Sequence, residues 1–416
     1  MAMVPHDAGK WWFTLQPERR VLFMVPTMTS VKRVMDIAGV FAGDLRIQTE
    51  FTVPPDVLGQ GAARMLARLG VQLVPWRRAL AERYDLAVTA NYSGIAEVNA
   101  PVAIFSHGAS RNKQAKPRGR GAIPVLPQVQ GFAPSTLIRN GMLLPSAIAV
   151  GDEHELAMLA EDCPEALPMA RVVGDPCYDR LIAGAPLRED YRRALGVADG
   201  QRVVVVSTTW TGASLLGSAP HRLERIVEQL ATPEYRVVML THPNAVAAHG
   251  EYQLRAWLGH LAAQGLMLTR PEHDPEPFLL AADFIIGDHG SVTLYGSAVG
   301  VPILLGVYNE ADVHQASGAA ALAAIAPRLI DSAPVPAQLE HARSQFDAAA
   351  MARVASRISS EPGGFARQTR NLLYGMLGLG QPATPARLSA APAPPSLRSL
   401  AAQNHPGWRH LGGMAA

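Results

Sequence analysis

Cysteine is almost absent from this sequence, which removes two kinds of site from consideration. Only Cys163 and Cys177 occur in the 416 residues. Two thiols supply neither a disulfide framework nor a cysteine-rich zinc cluster. Such sparse cysteine is typical of a reducing compartment, and we therefore expect a cytoplasmic protein.

Strong net charge and long apolar stretches are also missing. The net charge of +2 argues against a dedicated nucleic-acid-binding protein. Apolar runs such as 301–305 are far too short to span a bilayer, although peripheral contact with a membrane remains possible. The first residues lack a basic region followed by an apolar core, so no signal peptide is expected.

Several catalytic signatures do not occur. The sequence has no GxxxxGK[ST] phosphate loop, which disfavours a P-loop NTPase. It has no HExxH zinc motif and no GxSxG nucleophile turn. An Asp-x-Asp metal pair is also missing, so we predict no metal site.

Short apolar runs alternate with helical patterns along most of the chain. The β-branched run at 202–207 and the helical pattern at 220–230 are examples. This alternation predicts an α/β protein with two doubly wound, Rossmann-like domains that face a cleft. We place the first domain at residues 1–185 and the second at 186–379. Residues 380–416 are rich in proline and alanine and are predicted to be a disordered tail.

Residues 279–305 give the most specific functional signal. They are predicted to form a strand, a short Gly/Ser loop, a helix and a second strand. The loop contains Asp288, His289, Gly290 and Ser291, and it would expose backbone N–H groups at a helix N-terminus. Such a terminus suits a phosphate, and Asp288 and Ser291 are positioned to cap the helix or to contact a ligand.

Polar side chains also follow three other predicted strands. His107 follows the strand at 102–106, where it is either a general base or a turn histidine bonded to a backbone carbonyl. Thr208 and Thr209 follow the strand at 202–207 and suit either phosphate contact or an ordinary turn. His242 follows the strand at 236–241, and a second histidine at a strand end favours an acid–base pair.

The turn at 174–179 is predicted to have a structural role. Gly174 and Pro176 restrict its backbone, and Asp179 is suited to cap the following helix.

A basic loop without acidic residues follows His107. It is suited to hold an anionic acceptor or a pyrophosphate, but a solvated, mobile loop is favoured for most of its charges. The charged residues are Arg111, Lys113, Lys116, Arg118 and Arg120.

The order and spacing of these motifs resemble the CDP-glycerol glycerophosphotransferase-like enzymes, within the GT-B group of transferases. The WHG motif of that family is matched at 106–108, its GxPxxD motif at 174–179 and its HP motif at 242–243. Its ADxxIxDxSS signature and the following KPxxF strand are matched at 282–291 and 301–304. The sequence departs from the family at Ser106, Ala109 and Gly290, where the family has tryptophan, threonine and serine.

The resemblance implies a role for each matched site. His107 would be the base that activates an acceptor hydroxyl, on the side of the first domain. His242 and the loop from Asp288 to Ser291 would hold the phosphates of a nucleotide-linked donor on the second domain.

The implied activity is transfer of a glycerophosphate or glycosyl group from a nucleotide-diphosphate donor to a hydroxyl acceptor. This would occur in the synthesis of a cell-envelope polymer or glycoconjugate, with no obligatory cofactor or metal. The alternatives are a nucleotide-sugar 2-epimerase-like enzyme and a non-catalytic nucleotide- or sugar-binding protein. A further alternative is an anion-binding partner protein that uses the basic loop.

Overall fold

The structure is a computed structural model that describes residues 14–56, 59–109, 111–115 and 128–404. The strands are β1 (Arg19–Met24), β2 (Ile47–Thr52), β3 (Leu86–Thr89), β4 (Val102–Ile104), β5 (Ile138–Arg139), β6 (Met142–Leu143), β7 (Ala147–Val150), β8 (Ala170–Val172), β9 (Arg202–Ser207), β10 (Tyr235–Leu240), β11 (Met267–Leu268), β12 (Phe284–Gly287) and β13 (Ile303–Leu305).

The α-helices fall between the strands and after the last of them. They are α1 (Met28–Ala38), α2 (Gly59–Arg68), α3 (Trp76–Ala81), α4 (Pro134–Leu137), α5 (Glu153–Asp162), α6 (Pro176–Gly184), α7 (Arg188–Leu195), α8 (Leu215–Ser218), α9 (Pro220–Leu230), α10 (Pro243–His249), α11 (Glu251–Ala263), α12 (Glu276–Ala281), α13 (Ser291–Tyr295), α14 (Gly318–Ala323), α15 (Val335–Ser344), α16 (Ala348–Ala355), α17 (Phe365–Leu377) and α18 (Leu397–Asn404).

Two parallel sheets organise these elements. The amino-terminal sheet has the strand order β2-β1-β3-β4-β7-β8, and the carboxyl-terminal sheet has the order β11-β10-β9-β12-β13. Residues 203–206 of β9 are fully buried without alternation, because helices cover both faces of the strand. The predicted α/β class with parallel sheets is therefore confirmed, while the arrangement as two domains around a cleft stays a prediction.

The strand orders determine where polar side chains collect. In the carboxyl-terminal sheet the chain runs outward from β9 through β10 to β11 and then returns to β12 on the other side of β9. Adjacent loops that leave β9 and β12 in opposite directions create a crevice at the carboxyl ends of the strands. The segments 208–214 and 288–291 border this switch point.

The end of the chain differs from the sequence prediction. Residues 365–379 were expected to belong to the second domain, but Phe365, Leu373 and Tyr374 of α17 lie in the core of the amino-terminal sheet. The domain limits themselves stay a prediction. The chain thus returns to the first sheet after completing the second.

The predicted disordered tail is also corrected as far as residue 404. Leu400 of α18 is fully buried and, with Leu397, joins the core of the carboxyl-terminal sheet. Upstream of the helix, the carbonyl of Ala391 accepts a hydrogen bond of 2.7 Å from the Tyr191 hydroxyl. A few leucines and backbone carbonyls are therefore enough to anchor a proline-rich segment. Residues 405–416 lie outside the described part of the chain.

We predict that Leu400→Ala destabilises the protein by about 2–5 kcal/mol, because it leaves a cavity in a packed core. The midpoint of urea unfolding measures this change. Arg398→Ala, which removes an exposed side chain from the same helix, is the matched control and should leave the midpoint nearly unchanged. If both variants unfold at the midpoint of the unaltered protein, the packed position of α18 is wrong.

Candidate active site

The loop after β4 contains His107 between Ser106 and Gly108, which are hydrogen-bonded to each other. The Ser106 hydroxyl donates to the carbonyl of Gly108 at 2.7 Å and accepts a long bond from the Gly108 N–H at 3.4 Å. Ala109, two residues after His107, is fully buried in the core of the carboxyl-terminal sheet. The loop is therefore held at both ends, while the His107 side chain remains exposed.

Gly108 brings this loop against the loop after β12. A Cβ atom at Gly108 would lie 2.5 Å from the Ser291 Oγ, a distance that real side chains do not tolerate. The Ser291 hydroxyl also donates to the Ala109 carbonyl at 3.4 Å. The missing side chain thus lets the strand-end loops of the two sheets touch, and it places His107 beside Ser291.

The surroundings of His107 favour its neutral form. Enclosure by protein atoms, together with the positive charges of Lys113 and Arg111, lowers the pKa of His107 to about 4. Protein atoms surround the ring, but the side chain is still accessible to solvent. Water therefore screens part of the effect of burial and part of the effect of the two positive charges on this pKa. A hydrogen bond to the backbone of Ala90 opposes the lowering. Because a backbone carbonyl takes a ring N–H, the other ring nitrogen is left to accept a proton.

His242 is held in one tautomer by the helix that it caps. Its Nδ1 accepts the backbone N–H of Asn244 at 3.1 Å, at the start of α10. The proton of the neutral ring is therefore on Nε2, which is available as a donor. Burial, with smaller contributions from the charges of Lys113 and His107, lowers the pKa of His242 to about 3.

The two histidines are near each other, since the charge of His107 lowers the pKa of His242. His107 follows a strand of the amino-terminal sheet and His242 follows a strand of the carboxyl-terminal sheet. The side chain of Asn244 fixes this approach, because its Oδ1 accepts a 2.7 Å hydrogen bond from the Thr29 hydroxyl in α1. The structure thus brings the two predicted catalytic histidines to one place.

Lys113 is a central residue of this site, although the sequence distinguished it from no other charge of the basic loop. Its charge contributes to the lowered pKa of His107, of His242 and of His289. Its Nζ lies 5.9 Å from the centre of the Trp210 ring. Its backbone forms an isolated antiparallel bridge with Val313. The side chain is therefore carried to the site by an ordered segment.

Arg111 is likewise not part of a solvated loop. Its side chain is buried, its guanidinium carbon lies 4.3 Å above the Phe132 ring, and Nη1 donates to the Tyr92 hydroxyl. Three other members of the basic loop, Lys116, Arg118 and Arg120, lie outside the described residues. Arg111 is thus an exception to the solvated, mobile loop that was favoured for most of these charges, and the backbone of Lys113 is held by its bridge to Val313.

Asp288 organises the loop that was predicted to hold phosphates. Its carboxylate accepts hydrogen bonds from the Thr209 N–H at 2.7 Å, the Thr209 hydroxyl at 2.9 Å, the Leu215 N–H at 3.1 Å and the Gly290 N–H at 3.0 Å. Only 1% of the residue is exposed. Asp288 and Thr209 therefore have structural bonds here, and direct contact with a donor stays a prediction for both.

The other predicted members of this site surround that carboxylate. The Thr208 hydroxyl accepts the Leu216 N–H at 3.1 Å. Gly290 precedes α13, and a Cβ atom there would lie 2.7 Å from the Thr209 Cγ2, so the two loops approach closely. His289 is buried, and its Nδ1 has no hydrogen-bond partner among the described residues. Burial lowers the pKa of His289, which favours a neutral ring.

The turn at 174–179 connects distant segments of the chain. Gly174 has φ +84°, and a Cβ atom there would lie 3.1 Å from the Glu361 carbonyl, so both conformation and space favour glycine. Pro176 is the first residue of α6. Asp179 accepts the N–H groups of Gly363 at 2.7 Å and Phe365 at 2.9 Å. Asp179 therefore anchors the start of α17, rather than the helix that immediately follows the turn.

Asp175, which the sequence interpretation did not single out, joins three helices. Its Oδ1 caps α6 by accepting the Tyr178 N–H at 2.9 Å. Its Oδ2 accepts hydrogen bonds from Arg33 of α1 at 2.7 Å and from the Tyr295 hydroxyl of α13 at 2.9 Å. A buried ion pair of this kind depends on the fold, and an Asp beside Pro gives no sequence signal for its distant partners.

No group of three or more His, Cys, Asp or Glu side chains suited to a metal ion occurs within the described ranges. Over the same part of the chain, no helix is both long and apolar enough to cross a membrane.

Comparison with known proteins supports the fold. No family model matches the chain, and no curated protein matches its sequence. The solved structure of the wall teichoic acid polymerase TagF matches 88% of this chain and 90% of its own, with a TM-score of 0.60 and 11% identity. A TagF variant soaked with CDPG matches the same shares with the same TM-score and identity. The Anabaena protein HepE in complex with UDP has 12% identity over 86% of this chain and 100% of its own, and its TM-score of 0.48 is too low for an argument.

The chain therefore resembles TagF in fold, which confirms the GT-B-like resemblance that the motifs predicted. An identity of 11% does not extend this likeness to substrate or residue roles. The roles of the individual site residues stay predictions.

We predict that His242 makes folding stability depend on pH. The pKa of about 3 in the folded chain lies below the ordinary value of 6.5. The unfolded chain therefore binds more protons between these values, so stability is fully present above about pH 6.5 and is lost as the pH falls. The loss is at most about 1.4 kcal/mol per pH unit, and it is smaller for a partly exposed ring.

His242→Asn replaces the capping ring nitrogen with an amide oxygen that does not titrate, so thermal unfolding midpoints should fall less steeply from pH 6.5 to pH 4. His242→Ala, the comparison variant, should show the same shallow slope and lose about 1 kcal/mol at all pH values through the missing cap. An Asn variant with the full slope of the unaltered protein would contradict the assignment.

Proposed function

We propose that the protein transfers a group from a nucleoside diphosphate donor to a hydroxyl acceptor at the place where the strand-end loops of the two sheets meet. One observation carries this proposal above the others. His107 and His242 follow strands of different sheets, the charge of His107 lowers the pKa of His242, and the charge of Lys113 lowers the pKa of both rings. A cation beside two neutral imidazoles is suited to bind the diphosphate of a donor while an acceptor oxygen attacks that donor.

The donor phosphates would lie against Lys113 and His242. The Lys113 ammonium neutralises their charge, and the His242 Nε2–H donates a hydrogen bond without adding a second full charge. His289 and Ser291, in the loop after β12, border the same region and can add polar contacts. These groups are fixed before a donor arrives, so little reorganisation is needed when charge develops on the leaving group.

His107 would be the general base for the acceptor hydroxyl. Its free ring nitrogen takes the proton as the acceptor oxygen forms a bond to the donor. For glycerophosphate transfer, the oxygen attacks the distal phosphorus and nucleoside monophosphate leaves. For glycosyl transfer, the oxygen attacks the anomeric carbon and nucleoside diphosphate leaves.

The finer assignment follows the motifs rather than the geometry. The set SHG, GxPxxD, HP and DHGS favours a CDP-glycerol-type or nucleotide-sugar donor and a product of the cell envelope or a glycoconjugate. The reaction would take place in a cleft between two domains, in the cytoplasm or at a membrane surface. No cofactor is required for either form of the transfer.

His107→Gln should lower kcat about 10²–10⁴-fold while donor affinity changes little, because only the proton acceptor is lost. Release of the nucleotide product in the presence of acceptor measures this effect. The pKa of His107 in the free protein is about 4. A plot of kcat/KM against pH should therefore fall on the acidic side only near that pH. The value of kcat should fall at a higher pH than kcat/KM does, because the bound diphosphate raises the pKa of His107.

Two results would overturn the catalytic role of His107. One is full turnover by a folded His107→Gln protein. The other is binding of nucleoside diphosphates without any turnover by the unaltered protein, which would favour the non-catalytic binding protein considered from the sequence.

Lys113→Gln should weaken nucleoside diphosphate binding about 10–100-fold through loss of a charge-assisted contact. Thermal-shift titrations with CDP, UDP, GDP and dTDP measure the effect and identify the base. A ligand at about 100 times its Kd stabilises the unaltered protein by roughly 2.7 kcal/mol. Arg353→Gln removes the same charge from an exposed position on α16 and is the matched control. If the ligand raises the unfolding temperature of both variants equally, Lys113 does not contact the donor.

A further inference from the structure

We infer that the nucleoside part of the donor binds in a cavity beside the candidate site, which we call the tryptophan cavity. This inference rests on the proposed function. The cavity has a volume of about 360 Å³ and lies between the loop 209–217 and the helices α9, α10 and α11. Its walls include Trp210, Trp257, His249 and several leucines.

Two large rings face this cavity instead of a protein core. Trp257 on α11 is 48% exposed and Trp210 is 36% exposed. His249 packs edge-on against Trp257, with ring centres 5.0 Å apart. Exposed aromatic surface gathered at a concave site is a recognised feature of ligand-binding sites. The rings are therefore placed to stack on a planar ligand.

Trp210 connects the cavity to the charged part of the site. One residue lines the cavity and also lies 5.9 Å from the Lys113 Nζ. Its neighbour Thr209 lines the cavity and is held by Asp288. An apolar cavity and a cation thus both adjoin one indole. A nucleoside diphosphate has the matching layout, with a planar base at one end and an anion at the other.

Size and wall chemistry favour a base over a hydrocarbon chain. The volume is near the lower end of the range for small-molecule sites, roughly 300–1,000 Å³. The wall also includes His260 and Glu224, with His260 Nε2 3.8 Å from Glu224 Oε1. A base has a polar edge that can form hydrogen bonds with such groups, whereas an acyl chain offers them none.

The test compares Trp257→Ala with Tyr252→Ala by isothermal titration with CDP, UDP and pyrophosphate. Tyr252 lies on the same helix, is 74% exposed and does not line the cavity. Stacking of one base on an aromatic ring corresponds to about a 5- to 100-fold change in affinity. Trp257→Ala should weaken whichever nucleotide binds by that factor and leave pyrophosphate binding unchanged. Tyr252→Ala should change neither.

Trp257→Phe keeps a ring that can stack on the base, and it controls for misfolding of the alanine variant. It should lose less affinity than the alanine variant while removing part of the fluorescence quenching that a bound nucleotide causes. Equal nucleotide affinity in the unaltered protein and in Trp257→Ala would overturn the inference and leave the proposed function standing. Equal losses for nucleotide and pyrophosphate would also overturn it. If the unaltered protein binds no nucleoside diphosphate, the proposed function fails first.

Discussion

The candidate site depends on one buried carboxylate. Asp288 gathers three backbone N–H groups and one hydroxyl, which come from the loops that leave β9 and β12. A buried charge is tolerated only when its hydrogen-bonding capacity is met, and here the donors meet it without a cationic partner. The two loops are thereby fixed at the switch point of the carboxyl-terminal sheet. Ser291 then lies where Gly108 leaves room for it, and Trp210 lies beside Lys113.

Around this fixed loop, the electrostatics favour an anion. Three histidines near Lys113 have lowered pKa values, so near neutral pH the rings act as neutral donors and acceptors beside one ammonium. Neutral imidazoles avoid the repulsion that a cluster of cations would create. The tautomer of His242 follows from its cap on α10, a bond that has nothing to do with a ligand. Local folding rules thus set the direction in which the N–H of this ring points.

The differences between prediction and structure have a common cause. Arg111 and Lys113 occur in a run of charges that has the composition of a solvated loop. The burial of Arg111 and the position of Lys113 come from partners outside that run, Phe132 and Val313 respectively. Asp179 shows the same effect, because its carboxylate meets the start of α17 across almost half of the chain. Leu400 is buried in a segment whose composition alone predicts disorder.

The sequence by itself determined the alternation of strands and helices, and hence the polar residues that follow strands. Periodicity and glycine-rich turns are local properties, so His107, His242 and the loop at 288–291 were all recognisable from short windows. Only the tertiary structure decided which strand ends meet, which carboxylates are hydrogen-bonded by backbone N–H groups and which cation lies near the histidines. Those outcomes depend on contacts between residues from separate segments of the chain, such as Asp288 with Thr209 and Lys113 with Val313. A local pattern contains no information about such pairs.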